Sequence, residues 1–377
     1  MGLFIERISL VNFRNYDVCE LGNLGGLTIL VGPNAVGKTN ILEAMQLLTA
    51  QTSFRHPTVE QLTKEGETSG SARAFVSGDG RQLEVKLTLS EGHKNYSLNG
   101  KGKHAADLKG LLPSVVFTPD DLEIAKGSMA RRRDALDLVG CQLSKNHYLI
   151  RKDYEKVLQH KNRLLKEEAP GVLMESVNEL MVTCGSQLCA YRSALVRRLS
   201  VAMMESYERI SAGRESLSVC YVPSWEEYPA SPGGSFDIGK EEAREAMERS
   251  LSEHFEEERE RKRSLVGPHL DRIDFYLDGR TVTDYASQGQ QRSVVLAFKM
   301  AEALVISEML SQRPVMLLDD VMSELDTERR RFLVDLVSCG EQTVVTTTNL
   351  GYFSDELIST AHVVHLPMEV MDRGPFE

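Results

Sequence analysis

Residues 32–39 read GPNAVGKT, which fits the pattern GxxxxGK[ST]. The octet stands between an apolar stretch, Leu27 to Val31, and an amphipathic one, Asn40 to Ala50. A strand that runs through a glycine-rich turn into a helix is the context in which this pattern cradles phosphate. Gly32 and Gly37 let the backbone curl so that amide N–H groups converge on phosphate oxygens. The helix start adds a favourable dipole. The candidate phosphate-binding residues are therefore Gly32, Pro33, Asn34, Ala35, Val36, Gly37, Lys38, Thr39 and Asn40. Lys38 has the reach for the β- and γ-phosphates, and the Thr39 hydroxyl can ligate Mg2+.

Residues 314–320, PVMLLDD, supply the complement. Four apolar residues make a buried strand, and two carboxylates sit at its C-terminal end, where open α/β sheets bind ligands. Asp319 is placed to hold the magnesium bound by Thr39. Asp320 projects differently and could orient or activate an attacking water. With Lys38, Asp320 is the leading catalytic candidate. A third segment, SQGQQR at 287–292, precedes the apolar stretch SVVLAFKMAEALVISEML. Ser287 is a good N-cap, Gly289 permits close backbone approach, and the following helix offers free N–H groups to an anion. On these residues alone, an ordinary capped helix start explains the segment equally well. A second anion site makes sense if it serves a nucleotide held by another copy of the chain.

Around these motifs, strand patterns occur at Phe4–Leu10, Ser71–Ser77, Gln82–Leu89, Leu112–Thr118, Ile273–Leu277, Val315–Leu318, Thr343–Thr347 and His362–Leu366. Turn signals GDG and NGKG mark antiparallel hairpins. From Met129 to about Ser264 the sequence is charged and helix-periodic. It is interrupted by a strand-like SLSVCYV and by a loop rich in Pro, Gly and Ser at 223–236. Alternating strands and helices predict an α/β fold interrupted by a mostly helical insertion. Three segments follow: 1–127, the insertion at 128–265, and 266–377.

SQGQQR, PVMLLDD and SELD (323–326) together resemble the ABC-type P-loop ATPase head. That resemblance implies a head with a mixed sheet and an antiparallel subdomain, its first lobe at 1–127 and its second at 266–377, plus a mostly helical lid domain at 128–265 that contacts DNA. The variant resembles the RecF family of bacterial recombination proteins, within the wider SMC-like group. The stretches ISLVNFRNY (8–16), GPNAVGKTNILEA (32–44), SFR (53–55), FTPDDLEIAKGSMARRRDALD (117–137), GPHLD (267–271) and the TTTN segment near 348 carry that resemblance. Leu270 and Arg272 depart from the family pattern, which commonly has an arginine and an acid there. The resemblance implies an ATP-dependent homodimer in which Ser287, Gln288, Gly289, Gln290 and Asp326 of one copy face the nucleotide of the other. It makes Thr348 a γ-phosphate sensor and Arg14 and Asn15 a nucleotide-contacting pair. It further implies slow, DNA-stimulated ATP hydrolysis used as a switch, and a role in recombinational DNA repair and replication restart. RecR and RecO would be partners, with RecA loaded indirectly at single-strand gaps, in the bacterial cytoplasm near the nucleoid. The alternative is the ATPase subunit of a transporter. The carboxylates stand far along the chain from Lys38, with a helical insertion between, and Asp320 replaces a transporter's usual glutamate. All three features argue against that alternative.

Composition bears on the partner. Net charge is -11, so a nucleic-acid site must be a local basic patch. Residues 141–166 hold seven Lys/Arg against two acids. With 143–166 as one helix, Lys145, Lys152, Lys156 and Arg163 fall on one line, opposite Leu143, Ile150, Tyr154, Val157, Leu158, Leu164 and Leu165. The helix would be roughly 36 Å long, about one turn of duplex DNA. This ridge, with Arg131 and Arg132 from the run at 131–133, is the candidate contact to duplex or gapped DNA; a solvated helix face is the plainer explanation. The longest apolar run, Val294–Phe298, is far too short to span a bilayer. The N-terminus lacks a secretory h-region, and the six cysteines form no CxxC pair, so a reduced, cytoplasmic setting is expected.

Overall fold

The computed structural model describes residues 2–226, 237–338 and 342–367. It divides into two compact units, residues 1–119 with 310–377 and residues 120–309. In chain order the first stretch holds β1 (Phe4–Phe13), β2 (Tyr16–Leu21), β3 (Leu27–Val31), α1 (Lys38–Thr49), α2 (Val59–Leu62), β4 (Ser69–Gly78), β5 (Arg81–Ser90), β6 (His93–Leu98), β7 (Lys101–Lys103) and β8 (Ser114–Phe117). The second unit holds α3 (Glu123–Lys126), α4 (Met129–Leu143), α5 (Lys145–Lys166), α6 (Gly171–Ser211), β9 (Leu217–Val222), α7 (Lys240–Glu253), α8 (Phe255–Arg261), β10 (Arg272–Leu277), β11 (Arg280–Thr281), α9 (Val282–Tyr285) and α10 (Gln288–Leu310). The chain returns to the first unit with β12 (Val315–Asp319), α11 (Thr327–Ser338), β13 (Thr343–Thr347), α12 (Asp355–Thr360) and β14 (His362–His365).

In the first unit the two expected sheet characters occur as separate sheets. One has six antiparallel strands in the order β2-β1-β4-β5-β6-β7. The other has five strands, β14-β3-β13-β12-β8, all parallel. β12 and β13 are buried along their whole length, which explains the apolar run Val315–Leu318 of β12. Helix α1 is buried on almost every side through Ile41, Leu42, Ala44, Met45, Leu47 and Leu48. It shares one core with Leu10 and Leu87 of the antiparallel sheet and Leu30, Leu317 and Val344 of the parallel sheet. Gln342 joins the sheets directly. Its amide donates to the carbonyls of Ile5 (2.6 Å) and Leu24 (3.0 Å) and accepts from Ile5 N at 2.8 Å.

The second unit is built on α6, a 41-residue helix, against which α4, α5 and α7 pack. A three-stranded antiparallel sheet, β11-β10-β9, completes it. The unit's boundaries therefore differ from 127/128 and 265/266: it runs over residues 120–309, and because β10 pairs with β9, residues after 265 belong with the helices. The helix expected over 143–166 begins at Lys145. Ser144 caps it, its hydroxyl accepting from His147 N at 3.3 Å, and Leu143 ends the preceding helix. Of the loop expected at 223–236, residues 227–236 lie outside the described residues.

Buried ions hold this unit together. Arg192 grips Asp137 with two donors, at 2.9 and 2.7 Å, and reaches Asp271 at 3.1 Å. Burial alone would raise the Asp137 carboxyl, but Arg192, His147 and Arg151 outweigh it and hold it well below the usual carboxylate range. Burial keeps Asp271 above its usual range, although Arg192 and the Tyr221 hydroxyl (2.7 Å) oppose that. The GPHLD turn folds into this network. Gly267 has φ 132°, and a Cβ there would meet the Tyr154 hydroxyl at 2.3 Å. Tyr154 Oη lies 2.7 Å from His269 Nδ1, while His269 Nε2 faces the Ser264 carbonyl at 3.5 Å. That arrangement suits a neutral ring with its hydrogen on Nε2. Burial, aided by Arg133, Lys161 and Arg192 and opposed by the Ser264 carbonyl, lowers His269 to about 4.

An unfolded histidine titrates near 6.5, so between about pH 6.5 and 4 the unfolded chain binds the extra proton. Stability contributed by the neutral ring is therefore full above pH 6.5 and is lost as pH falls toward 4. Thermal melting of the wild type should fall across that window, and His269→Gln should flatten the slope there. An equal slope in both proteins would contradict the assignment.

Candidate phosphate-binding site

The GPNAVGKT turn joins β3 to α1. Gly37 has φ 106°, and a Cβ there would lie 2.6 Å from the Tyr16 hydroxyl and 2.8 Å from Asn15 Nδ2. Only glycine satisfies both the left-handed backbone and the close approach. Lys38 Nζ donates to the carbonyls of Gly32 (2.6 Å) and Pro33 (2.7 Å), which folds the side chain back over the turn. Burial lowers the Lys38 pKa, and Asp320 and Asp319 oppose the shift.

Strand register brings the carboxylates to the turn. β12 pairs with β13 so that Asp319 lies beside Thr346, at the C-terminal ends of parallel strands. Asp319 Oδ1 accepts from Thr39 Oγ1 (2.9 Å) and from Thr346 Oγ1 (2.8 Å). The Asp320 backbone is left-handed, φ 52°, and its N–H donates to the Thr346 carbonyl (3.2 Å) and hydroxyl (3.0 Å). Asp320 Oδ1 is buried and accepts no hydrogen bond among the described residues. Burial raises the Asp320 pKa, Asp319 and Glu324 push the same way, and Lys38 opposes them. These groups line a cleft of about 180 Å³ with Asn34, Ala35, Gly37, Asn40 and Arg55. A larger concavity, about 750 Å³, lies against Phe4, Arg7 and Phe75, but the phosphate-cradling turn and the carboxylates are not part of it. Magnesium takes oxygen ligands, usually one or two carboxylates beside substrate phosphates. The hydroxyl of Thr39 and the carboxylate of Asp319, which it bonds, fit that ion.

Other candidates are placed differently. Arg14 is turned to buried Glu43, with two donors at 2.8 Å each, and to the Gln61 carbonyl at 2.8 Å, so its guanidinium braces α1 and α2. Asn15 does touch the turn: its Nδ2 donates to the Val36 carbonyl (3.4 Å) and its Oδ1 accepts from Asn40 (2.8 Å). Thr348 sits exposed beyond β13 and does not line the cleft; Thr346 does. Arg55, outside the motif residues expected at the site, also lines the cleft, oriented by Asn40 Oδ1 (2.8 Å) and Glu43 (3.6 Å). Only the tertiary fold delivers it there, although the SFR spelling marks the position.

In the second unit, Ser287 and Gln288 are exposed at the start of α10. The turn is a capping box: Ser287 Oγ accepts from Gln290 N (3.3 Å), and Gln290 Oε1 accepts from Ser287 N (2.7 Å). Gln290 is therefore not free to face a ligand, since Glu215 holds its other end at 2.6 Å. In the first unit, Asp326 caps α11, its carboxylate accepting from Arg329 N at 2.9 Å. Lys145, Lys152, Lys156 and Arg163 all lie on the exposed side of α5. Asp153 lies 3.4 Å from Lys156 and partly offsets that one charge. Arg131 is exposed, but Arg132 is buried. Its guanidinium donates to Asp274 (2.5 Å), to the Ile273, Ile124 and Ala125 carbonyls and to Thr283, so it belongs to the core rather than to a DNA-facing patch. Consecutive helical residues point about 100° apart, so a run of three arginines cannot share one face.

A phosphate-cradling turn before a buried helix, with carboxylates at the end of a neighbouring parallel strand, defines a head of the ABC/SMC class of P-loop proteins. A sequence model described as the RecF/RecN/SMC N-terminal domain matches residues 4–365. The chain is 37% identical to the DNA replication and repair protein RecF of Symbiobacterium thermophilum, covering 92% of each. It is 34% identical to that of Moorella thermoacetica, covering 97% of this chain and 95% of the relative. The chain belongs to the RecF family. A solved structure of the recombination mediator protein RecF with ATPrS, from the RecFOR pathway, superposes with a TM-score of 0.86 at 29% identity, over 94% of each chain. An Smc head from Pyrococcus furiosus gives 0.53 at 16% identity and shares the fold.

Removing the buried Arg132 leaves Asp274 uncompensated. Arg132→Ala should lower the second unit's stability by about 3–5 kcal/mol, whereas Lys152→Ala should stay within about 0.5 kcal/mol. Urea unfolding of the two variants checks this; similar midpoints would return Arg132 to the surface.

Proposed function

We propose that this protein is an ATP-dependent DNA-binding protein of DNA replication and recombinational repair. The supporting observation is the hydrogen-bonded set Thr39–Asp319–Thr346, which collects oxygen ligands at the mouth of a phosphate cradle beside the unpartnered Asp320 oxygen. RecF relatives carry the replication and repair role by name, and related structures hold ATP or an ATP analogue.

The residues divide the work. Backbone N–H groups from Asn34 to Thr39 and the Lys38 ammonium hold the phosphates of ATP. Thr39 and Asp319 hold Mg2+, which when bound neutralises charge on the β- and γ-phosphates. Asp320 Oδ1 receives the proton of the attacking water, and its raised pKa favours that acceptance. Arg55 lends a positive charge at the rim. Ser287, Gln288 and Gly289 of one copy meet the γ-phosphate held by another, so ATP joins two copies and slow hydrolysis releases them. Asp326 lies along the same interface. The α5 ridge then meets the backbone of duplex DNA beside a gap, and RecR and RecO are the partners through which RecA is loaded. Among the described residues no helix is long and apolar enough to cross a membrane, and the setting proposed is the cytoplasm.

Anisotropy of a labelled gapped duplex, titrated with and without Mg-ATP, should show tighter binding with nucleotide; equal binding in both would sink the switch. Replacing Lys145, Lys152, Lys156 and Arg163 together should flatten the salt dependence by about 0.9 log units for each DNA phosphate no longer neutralised. An unchanged slope would remove the ridge from the interface. Ser287→Arg should bind ATP yet fail to self-associate, and ATP-driven dimers of that variant would rule out the shared site.

A further inference from the structure

Glu215 follows the C-terminus of α6, in the loop that leads into β9. One carboxylate oxygen accepts from the Tyr207 hydroxyl on α6 at 2.6 Å, and the other accepts from Gln290 Nε2 at 2.6 Å. A carboxylate can only accept and a backbone N–H can only donate. Glu215 on one side and Ser287 N on the other therefore leave the Gln290 amide a single orientation, with Oε1 toward Ser287. The Glu215 backbone is anchored too, since the neighbouring Ser216 exchanges backbone and side-chain bonds with Asp278 in the β10–β11 turn.

We propose that Glu215 is the positioning residue of the SQG turn. It locks the capping box so that Ser287, Gln288 and Gly289 are presented in one geometry to a nucleotide held by a second copy. Through Tyr207 it also ties that geometry to α6, the helix against which the basic α5 packs. The inference rests on the reading that the SQG turn serves another copy's nucleotide.

The test uses the full chain with Mg-ATP and measures self-association by sedimentation, alongside ATP affinity. Glu215→Ala should bind ATP as the wild type does, because the phosphate cradle lies in the other unit, but should self-associate about tenfold more weakly or worse. Glu215→Ala combined with Gln290→Ala should be no weaker than Gln290→Ala alone. Mixing Glu215→Ala with Lys38→Ala should give more ATP turnover than either shows by itself, since one supplies an intact cradle and the other an intact SQG turn. A misfolded protein could not be rescued in this way. If Glu215→Ala does not fold, Glu215→Gln and Tyr207→Phe decide by the same measurement, with weakened association expected for both. Wild-type association of the Glu215 variants while Ser287→Arg fails to associate would overturn the inference and leave the shared-site reading intact. Association of Ser287→Arg itself would overturn both. Additive losses in the double variant would show that Glu215 acts elsewhere than through Gln290, and that also overturns it.

Discussion

One oxygen of Asp319 accepts from two threonines that lie far apart in sequence, Thr39 at the start of α1 and Thr346 in β13. The glycine-rich turn at 32–39 depends on this double acceptance. α1 is held sideways by apolar packing between two sheets, and packing is non-directional, so it cannot by itself set the rotation of the helix start. A short hydrogen bond to a carboxylate can. Register does the rest: pairing Asp319 with Thr346 puts both hydroxyls on one side of the strand ends, where the glycine turn opens.

The second unit meets a similar need with charge. Arg192 between Asp137 and Asp271, Arg132 against Asp274, and Lys161 against Glu258 at 2.6 Å are all buried. Such pairs are often no more stabilising than well-packed apolar residues, but each allows few partners and so fixes helix register. A long helix surrounded by other amphipathic helices could slide by one turn with little apolar loss. Arg192 cannot slide without abandoning two carboxylates. The same register carries the exposed lysines of α5 on one face, which gives a locally basic surface to a chain of net charge -11.

Much of this was legible in the spelling. GPNAVGKT, PVMLLDD and the strand runs state their own local structure, and the structure places their ends within one or two residues of the expected positions, apart from β1, which extends to Phe13. What stayed hidden depended on partners distant in sequence. Thr346 and Thr348 are indistinguishable in TTTN until β12 supplies the register. Arg132 is one of three adjacent arginines until β10 brings Asp274 beneath it. Gln290 reads as part of an anion turn until Glu215 takes its amide. Arg14 looks available until the burial of Glu43 is known, because a buried carboxylate needs a cation more than a solvated turn does.

The adjacent carboxylates Asp319 and Asp320 show how backbone conformation can separate the chemistry of identical side chains. Asp319 continues the strand, so its side chain stays among the strand-end hydroxyls and accepts from both. Asp320 turns left-handed at φ 52°, a conformation that aspartate tolerates better than most residues. That rotation withdraws its side chain from the threonines, and its N–H, not its carboxylate, bonds Thr346. One oxygen is left buried without a donor among the described residues, and the pKa rises through burial, with Asp319 adding to the rise. A carboxylate already satisfied by donors is suited to hold a cation, and one that is desolvated and repelled is suited to take a proton. A single φ sign change between neighbouring residues is enough to make that division.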